Sequence, residues 1–224
     1  MPDSFGVFDD VVAEIARRIK PKVLLDIGAG AGKYGKILRE VSRDTRRIGV
    51  EIEPLYISQF GLNAIYDEVW DQDAAALMRA HLNSAFDLVI IGDCIEHLPK
   101  SVGIDLLNFL TYRCGYTVIL SPEFVVQGTA GGIDSEAHIS VWSDEDFRWH
   151  DQWAFDNCCT MNLFLLRGYQ KASVSLRALV HDINKSSIPV MDCFRTKVVR
   201  TANLQTRIRT RIEVFDNQEV SFRP

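Results

Sequence analysis

At 224 residues and 25.4 kDa the chain has room for one α/β domain with an elaboration, and not for two full enzyme domains. With 47% apolar and 25% charged residues and a mean hydropathy of −0.01, it sits among ordinary globular proteins, away from the compositions that leave chains disordered. Residues 195–224 carry seven Lys/Arg against three Asp/Glu, so a net charge of −5 leaves −9 on residues 1–194, and an acidic body argues against broad binding to nucleic-acid phosphates.

The first element is an amphipathic helix. Phe8, Val11, Val12, Ile15, Ala16 and Ile19 recur at helical spacing, with Asp9 and Asp10 at the start and Arg17, Arg18 and Lys20 at the end, as the helix dipole prefers. VLLDIG (23–28) reads as a short buried strand, and Lys33–Val41 resumes a helical pattern after a glycine-rich turn. Strand-like runs follow at RRIGVEIE (46–53), DEVW (67–70), FDLVIIGD (86–93) and GYTVILS (115–121), with helical patterns at Ala74–Leu82 and Val102–Tyr112. This alternation predicts an α/β, Rossmann-like, mostly parallel sheet with helices on both faces and ligands outside the strands' carboxyl ends. Residues 122–142 read as a loop, and a Ser143-x-x-Asp146 cap predicts a helix over Ser143–Ala154. MNLFLL (161–166), KVVR (197–200) and TRIRTRIEVF (206–215) predict an antiparallel C-terminal finish. Residues 1–194 are expected to form the main domain, with 195–224 a basic strand extension of it.

Apolar runs such as Leu88–Ile91 and Leu163–Leu166 fall far short of the roughly 20 residues a membrane span needs. The N-terminal MPDSFGVFDD lacks a basic n-region followed by an apolar h-region, so no export signal is expected. Five cysteines without a CxxC spacing predict a reducing, cytoplasmic setting and no structural zinc.

The glycine-rich turn reads in two registers. Gly30-x-Gly32-x-x-Gly35 matches a dinucleotide fingerprint, with Glu51 at about the distance of a ribose-binding acid, which makes an NAD(P)-dependent oxidoreductase one alternative. Asp26-x-Gly28-x-Gly30-x-Gly32 instead resembles motif I of class I S-adenosylmethionine-dependent methyltransferases. Asp26 separates the two, because a carboxylate before the first glycine repels a pyrophosphate but suits the ammonium of a phosphate-free cofactor. No Gly-Lys-Ser/Thr follows, so a P-loop is excluded.

The resemblance extends over roughly residues 20–150. It implies that Gly28, Gly30 and Gly32 border the cofactor, that Glu51, followed by Ile52, holds the ribose, and that Asp73-Ala74 meets the adenine, with Asp71 as a competitor. The run Phe86–Pro99, with Asp93 and Cys94 bordering the cofactor, is similar to small-molecule methyltransferases related to ubiquinone-biosynthesis enzymes, as is His138–Ser143. The expected function is therefore S-adenosylmethionine-dependent methylation of a small-molecule acceptor, at oxygen.

Methyl transfer is an in-line displacement, so the protein must orient the reactants and, for a hydroxyl acceptor, remove a proton. His97 and His138 are the candidate bases; His150, inside the expected Ser143–Ala154 helix, reads as a packing residue. Asp93-x-x-Glu96-His97 with His138 is also similar to the divalent-metal set of plant small-RNA 3′-end methyltransferases and some ubiquinone-pathway O-methyltransferases, which would suit Mg²⁺ or Mn²⁺. The metal-free base is the expectation, since strand-end cofactor contacts and a helix start also explain the run. Arg207, Arg209 and Arg211 alternate along one strand face, where they either receive an anionic acceptor or discourage edge pairing. Trp142, Phe147, Trp149 and Trp153 either line an acceptor pocket or, as is the default for aromatics at helical spacing, form core.

Overall fold

A computed structural model describes residues 5–129 and 132–209. In chain order the elements are α1 (Asp9–Ile19), β1 (Val23–Ile27), α2 (Lys33–Val41), β2 (Arg46–Glu51), α3 (Pro54–Gln59), α4 (Leu62–Ile65) and β3 (Glu68–Asp71). They continue with α5 (Leu77–Ala80), β4 (Phe86–Gly92), α6 (Lys100–Thr111), β5 (Cys114–Pro122), β6 (Gln152–Cys158) and β7 (Met161–Arg167). Last come α7 (Leu176–Lys185), β8 (Pro189–Met191), β9 (Val198–Thr201) and β10 (Gln205–Ile208).

The main sheet runs β10-β6-β7-β5-β4-β1-β2-β3. β1 to β5 are mutually parallel, whereas β7 pairs antiparallel with both β5 and β6, and β10 pairs antiparallel with β6. The expected parallel sheet with an antiparallel finish is therefore present, though β8 and β9 form a separate two-stranded sheet. The antiparallel β7 beside β5 departs from the all-parallel 3-2-1-4-5-6 order of dinucleotide-binding sheets.

Because successive strand residues point to opposite faces, each central strand feeds two cores. Leu88 and Ile90 of β4 pack with α1, α2 and α7, while Val89 and Ile91 pack with α5 and α6. Helices thus cover both faces, and the near-continuous apolar reading of β4 and β5 follows from burial on both sides. Trp142, Phe147 and Trp153 are core residues on the α6 face, as expected, while Trp149 is partly exposed.

Two elements differ from the sequence reading. The Ser143/Asp146 capping box is present, but it starts only a 3₁₀ turn at Asp144–Phe147, and the chain enters β6 by Gln152 in place of the helix expected to Ala154. Pairing with β7, where Trp153 faces Leu166 and Phe155 faces Phe164, outweighs the local cap. Ala74–Leu82 likewise divides into a 3₁₀ turn at Ala74–Ala76 and the short α5.

The loop before β9 folds back onto the start of the chain. Gly6 N–H donates to the Cys193 carbonyl (3.4 Å), Arg195 Nη1 donates to the Gly6 carbonyl (3.0 Å), and Arg195 Nη2 pairs with Asp10 (3.0 Å). Phe5 meets Phe194 edge-on at 6.3 Å.

Candidate functional site

A pocket of about 490 Å³ opens at the carboxyl ends of β1, β2, β4 and β5, within the size range of small-molecule sites. Its first wall is the turn after β1. Gly28 (φ +76°) and Gly32 (φ +74°) hold left-handed conformations, and a Cβ would lie 2.6 Å from Cys94 at the first and 2.6 Å from Ile65 at the second. The turn is tied to β2, with Gly28 and Ala29 N–H donating to the Val50 carbonyl (3.0 and 2.9 Å) and Gly30 N–H to Glu51 Oε2 (2.7 Å).

Glu51 is buried at the end of β2, and its Oε1 accepts from the Glu53 amide (2.9 Å). Burial raises its pKa, against the pull of these backbone donors. Ile52 adds a half-exposed apolar surface. Beyond β3, Gln72, Asp73 and Ala74 border the pocket, and Asp73 Oδ1 caps the following turn by accepting from Ala75 N–H (2.7 Å). Asp71, the competitor, does not border it.

The wall after β4 holds Asp93, Cys94, Glu96 and His97. Asp93 sits at φ +47°, an uncommon conformation for a non-glycine residue and one that clusters at functional sites. Burial pushes the Cys94 thiol well above its ordinary value, so it lines the pocket as a neutral group. His97 Nδ1 lies 3.1 Å from the Ala137 carbonyl, which only accepts, and the Asp93 backbone is a second acceptor for the ring. The 122–142 loop brings His138 against His97, ring centroids 4.8 Å apart and nearly perpendicular. Burial lowers the pKa of both, that of His138 to about 4, so both are neutral at neutral pH.

Glu96 is 1% exposed, and neither carboxylate oxygen has a hydrogen-bond partner among the described residues. Burial, then the neighbouring Asp93 charge, hold its carboxyl well above the usual range. His138 Nε2 is 4.0 Å from Glu96 Oε1, and Glu96, His97 and His138 offer ligand atoms within 4.8 Å of one another.

Gly28, Gly30, Glu51, Ile52, Asp73, Ala74, Asp93, Cys94, His97 and His138 are thus brought to one pocket. Asp26 and Gly32 are not on its wall. Asp26 is 1% exposed beneath the turn, accepts from the Tyr66 hydroxyl, and is pushed up to about 7 by burial. Gly32 sits under Leu62 and Ile65 at the start of α2. Sequence reasoning missed Phe5, Tyr34, Tyr56, Gln72, Gln127 and Glu136, all of which border the pocket. Tyr56 was within reach, lying one helical turn beyond the ribose-type acid on β2. Arg207 and Arg209 are elsewhere: Ile208 pairs with Gln152, beside the end of the sheet where the parallel strands begin, opposite the pocket. Arg211 lies outside the described residues.

No protein-family model matches the chain, and no curated protein matches it. Solved structures do. An O-methyltransferase family protein from Burkholderia thailandensis is similar at a TM-score of 0.54 and 13% identity, over 72% of this chain and 55% of that one. An S-adenosylmethionine-dependent methyltransferase from Archaeoglobus fulgidus matches at 0.54 and 19%, over 71% and 94%. Human N-acetylserotonin methyltransferase in complex with S-adenosylmethionine matches at 0.53 and 12%, over 72% and 52%. The chain spans about half the length of the O-methyltransferase structures it matches. What these proteins share with the chain is architecture: it has the class I methyltransferase fold.

Proposed function

We propose that the protein is an S-adenosylmethionine-dependent methyltransferase that acts on a small-molecule acceptor at oxygen. The observation that carries this reading is the neutral His97/His138 pair in the same pocket as Glu51 and the glycine turn. The pocket fits the cofactor: Glu51, Glu53, Asp73, Asp93 and Glu136 border it against one lysine, Lys33, and carboxylates suit a sulfonium where they would repel a pyrophosphate. That disfavours the NAD(P) alternative, as does the antiparallel β7.

The cofactor supplies an electrophilic methyl group, whose bond to sulfur breaks as the bond to the acceptor oxygen forms. In this reading Glu51 holds the ribose hydroxyls, Asp73 and Gln72 meet the adenine edge, and Ile52 and Ala74 cover its faces. Asp93, Cys94 and Gly30 border the methionine portion. His97 takes the acceptor's hydroxyl proton, and His138 orients the acceptor against it. Asp26 acts one layer back, through Tyr66, and Gly32 through the packing of α2.

The finer kinship, with small-molecule methyltransferases related to ubiquinone-biosynthesis enzymes, is supported by the Phe86–Pro99 and His138–Ser143 runs. A cytoplasmic setting is supported by five free cysteines, and residues 195–224 as an extension of the same domain by β10 joining the main sheet. The test is calorimetric titration with S-adenosylhomocysteine and with NAD, followed by an acceptor screen. S-adenosylhomocysteine binding with no NAD binding is expected, and His97→Ala abolishes turnover while leaving that binding intact. NAD binding in its place overturns the reading.

One observation favours a second reading, in which the same acceptor is activated by a divalent cation: the partnerless Glu96 carboxylate beside His97 and His138. An oxygen-plus-imidazole donor set fits Mg²⁺ or Mn²⁺, which would polarise the acceptor hydroxyl. Turnover unaffected by a chelator supports the metal-free base; turnover lost to chelation and restored by a divalent ion supports the cation.

A further inference from the structure

Three of the five cysteines meet at one place that methyl transfer does not use. β6 and β7 are joined by a two-residue turn, Cys159 and Thr160, between the paired residues Cys158 and Met161. Both turn residues hold left-handed conformations (φ +51° and +65°), which are uncommon without glycine and, for a β-branched threonine, of the strained kind that clusters at functional sites. Consecutive strand residues point to opposite faces, but the left-handed bend at Cys159 returns its side chain beside that of Cys158, and the two Sγ atoms are 3.6 Å apart. Cys158 is buried and Cys159 partly exposed. The Cys193 thiol donates to the Cys159 carbonyl (3.2 Å). Because β7 runs antiparallel to β5, with Met161 facing Pro122, the turn lies at the carboxyl end of β5, where the pocket opens and which Pro122 borders. The Thr160 carbonyl accepts from Glu123 N–H (2.9 Å), at the head of the loop that carries His138, and the Cys193 carbonyl accepts from Gly6 N–H (3.4 Å), beside Phe5.

We propose that Cys158 and Cys159 form a reversible redox site, closed to a disulfide between neighbours by a small-molecule disulfide such as oxidised glutathione, and that closure loosens the loops bordering the pocket. Cys159, the more accessible thiol, attacks as its thiolate: the sulfur–sulfur bond of glutathione disulfide breaks, a bond from Cys159 to one glutathione forms, and the other glutathione leaves. Cys158 then attacks Cys159 Sγ from contact distance, which forms the Cys158–Cys159 bond and releases the second glutathione. Two cysteine thiols are oxidised, one disulfide is reduced to two thiols, and the two protons end on the departing glutathiones. The Sγ atoms close from 3.6 Å to about 2.05 Å. Adjacent Cα atoms are about 3.8 Å apart, short of the roughly 4.4–6.8 Å that disulfides ordinarily span, so the ring is strained and readily reduced, as suits a switch and not a staple. The ring takes in the Cys158–Cys159 peptide unit, so closing it changes φ at Cys159 and re-aims the Cys159 and Thr160 carbonyls, which hold Cys193 and Glu123.

The test exposes the full chain to excess glutathione disulfide, alkylates the remaining thiols in denaturant, and digests with trypsin for mass spectrometry. Cleavage after Arg148 and Arg167 puts Cys158 and Cys159 on one peptide, and cleavage after Lys185 and Arg195 puts Cys193 on another. The first peptide is expected to be two hydrogens lighter and unalkylated, and to take up two alkyl groups once dithiothreitol has reduced it. In the oxidised chain, hydrogen exchange at the Glu123 amide should speed up at least about threefold. Cys158→Ser should stop at a glutathione adduct on Cys159, and Cys159→Ser, which removes the accessible thiol, should give neither adduct nor disulfide on that peptide; circular dichroism checks that both variants fold. Two alkylated thiols after oxidation, a lasting glutathione adduct on the unsubstituted chain, or a cross-link between the two peptides overturns the proposal, the last in favour of a disulfide to Cys193. A closed ring with unchanged exchange at Glu123 overturns the link to the pocket loops.

Discussion

Glu51 carries two backbone hydrogen bonds before any ligand arrives, so its carboxylate builds the turn as well as facing the pocket. In Glu51→Gln the amide nitrogen faces one of two N–H donors and cannot accept from it. We expect S-adenosylhomocysteine affinity to fall by roughly 1–3 kcal/mol, the scale of a hydrogen bond to a charged group, as read by calorimetry. Asp26 acts from beneath. Its carboxyl, raised from 3.8 to about 7 by burial, binds its proton more tightly in the folded chain than in the unfolded one. Its contribution to stability therefore declines as pH rises from about 4 to about 7, and is flat outside that window. Asp26→Asn should flatten this part of the profile: the urea midpoint difference between pH 5 and pH 8 shrinks relative to the unsubstituted protein. An unchanged difference would mean that the carboxyl does not titrate in that range. Asp26 shows what the sequence leaves open at this scale. Its position before the glycines is legible, but whether the side chain faces the cavity depends on Tyr66, forty residues downstream.

At the scale of elements, the pocket depends on the segment carrying His138. The Tyr56 hydroxyl on α3 bonds to the Glu136 carboxylate, and the Glu96 carbonyl accepts from the amides of Ile139 (2.9 Å) and Ser140 (3.0 Å). Tyr56→Phe keeps the ring and removes the bond to Glu136. We expect S-adenosylhomocysteine to dissociate a few-fold faster in stopped-flow experiments, with the melting temperature nearly unchanged; an unchanged rate assigns the anchoring to the contacts of the segment with Glu96, His97 and Gln127. Elements buried on both faces or patterned on one were legible: α1, α2 and the five parallel strands fall where periodicity places them. The β6–β7 hairpin was not, because Cys159 (φ 51°) and Thr160 (φ 65°) make its turn in left-handed conformations usually signalled by Gly or Asn. α3, α4 and α7 also escaped. The first two are only six and four residues long, too short for a helical period to stand out.

Across the whole molecule, the sheet carries a carboxylate-bordered pocket at one end and Arg148, Arg207 and Arg209 at the other. Arg195 links chain segments far apart in sequence, since it reaches the Gly6 carbonyl and Asp10 and lies 3.6 Å from Asp9. Asp9 in turn pairs with Lys33 (2.7 Å), which borders the pocket. Arg195→Ala should lower the melting temperature by a few degrees, since about 1 kcal/mol corresponds to roughly 2–4 °C for a chain of this size, and should weaken S-adenosylhomocysteine binding through Phe5. Wild-type affinity in that variant would show that the pocket does not depend on this contact.

That closure has a consequence for the order in which the protein is made. Phe5 leaves the ribosome well before its neighbours Cys193, Phe194 and Arg195, and β10 follows later still. The parallel strands β1 to β5 can pair while synthesis continues, since domains assemble from the N-terminal side during translation. The rim of the pocket that includes Phe5 cannot be fastened until some 190 further residues have emerged. A nascent chain halted before Cys193 would hold the glycine turn and Glu51 but not the fastened rim, so the rim closes only once Arg195 has emerged.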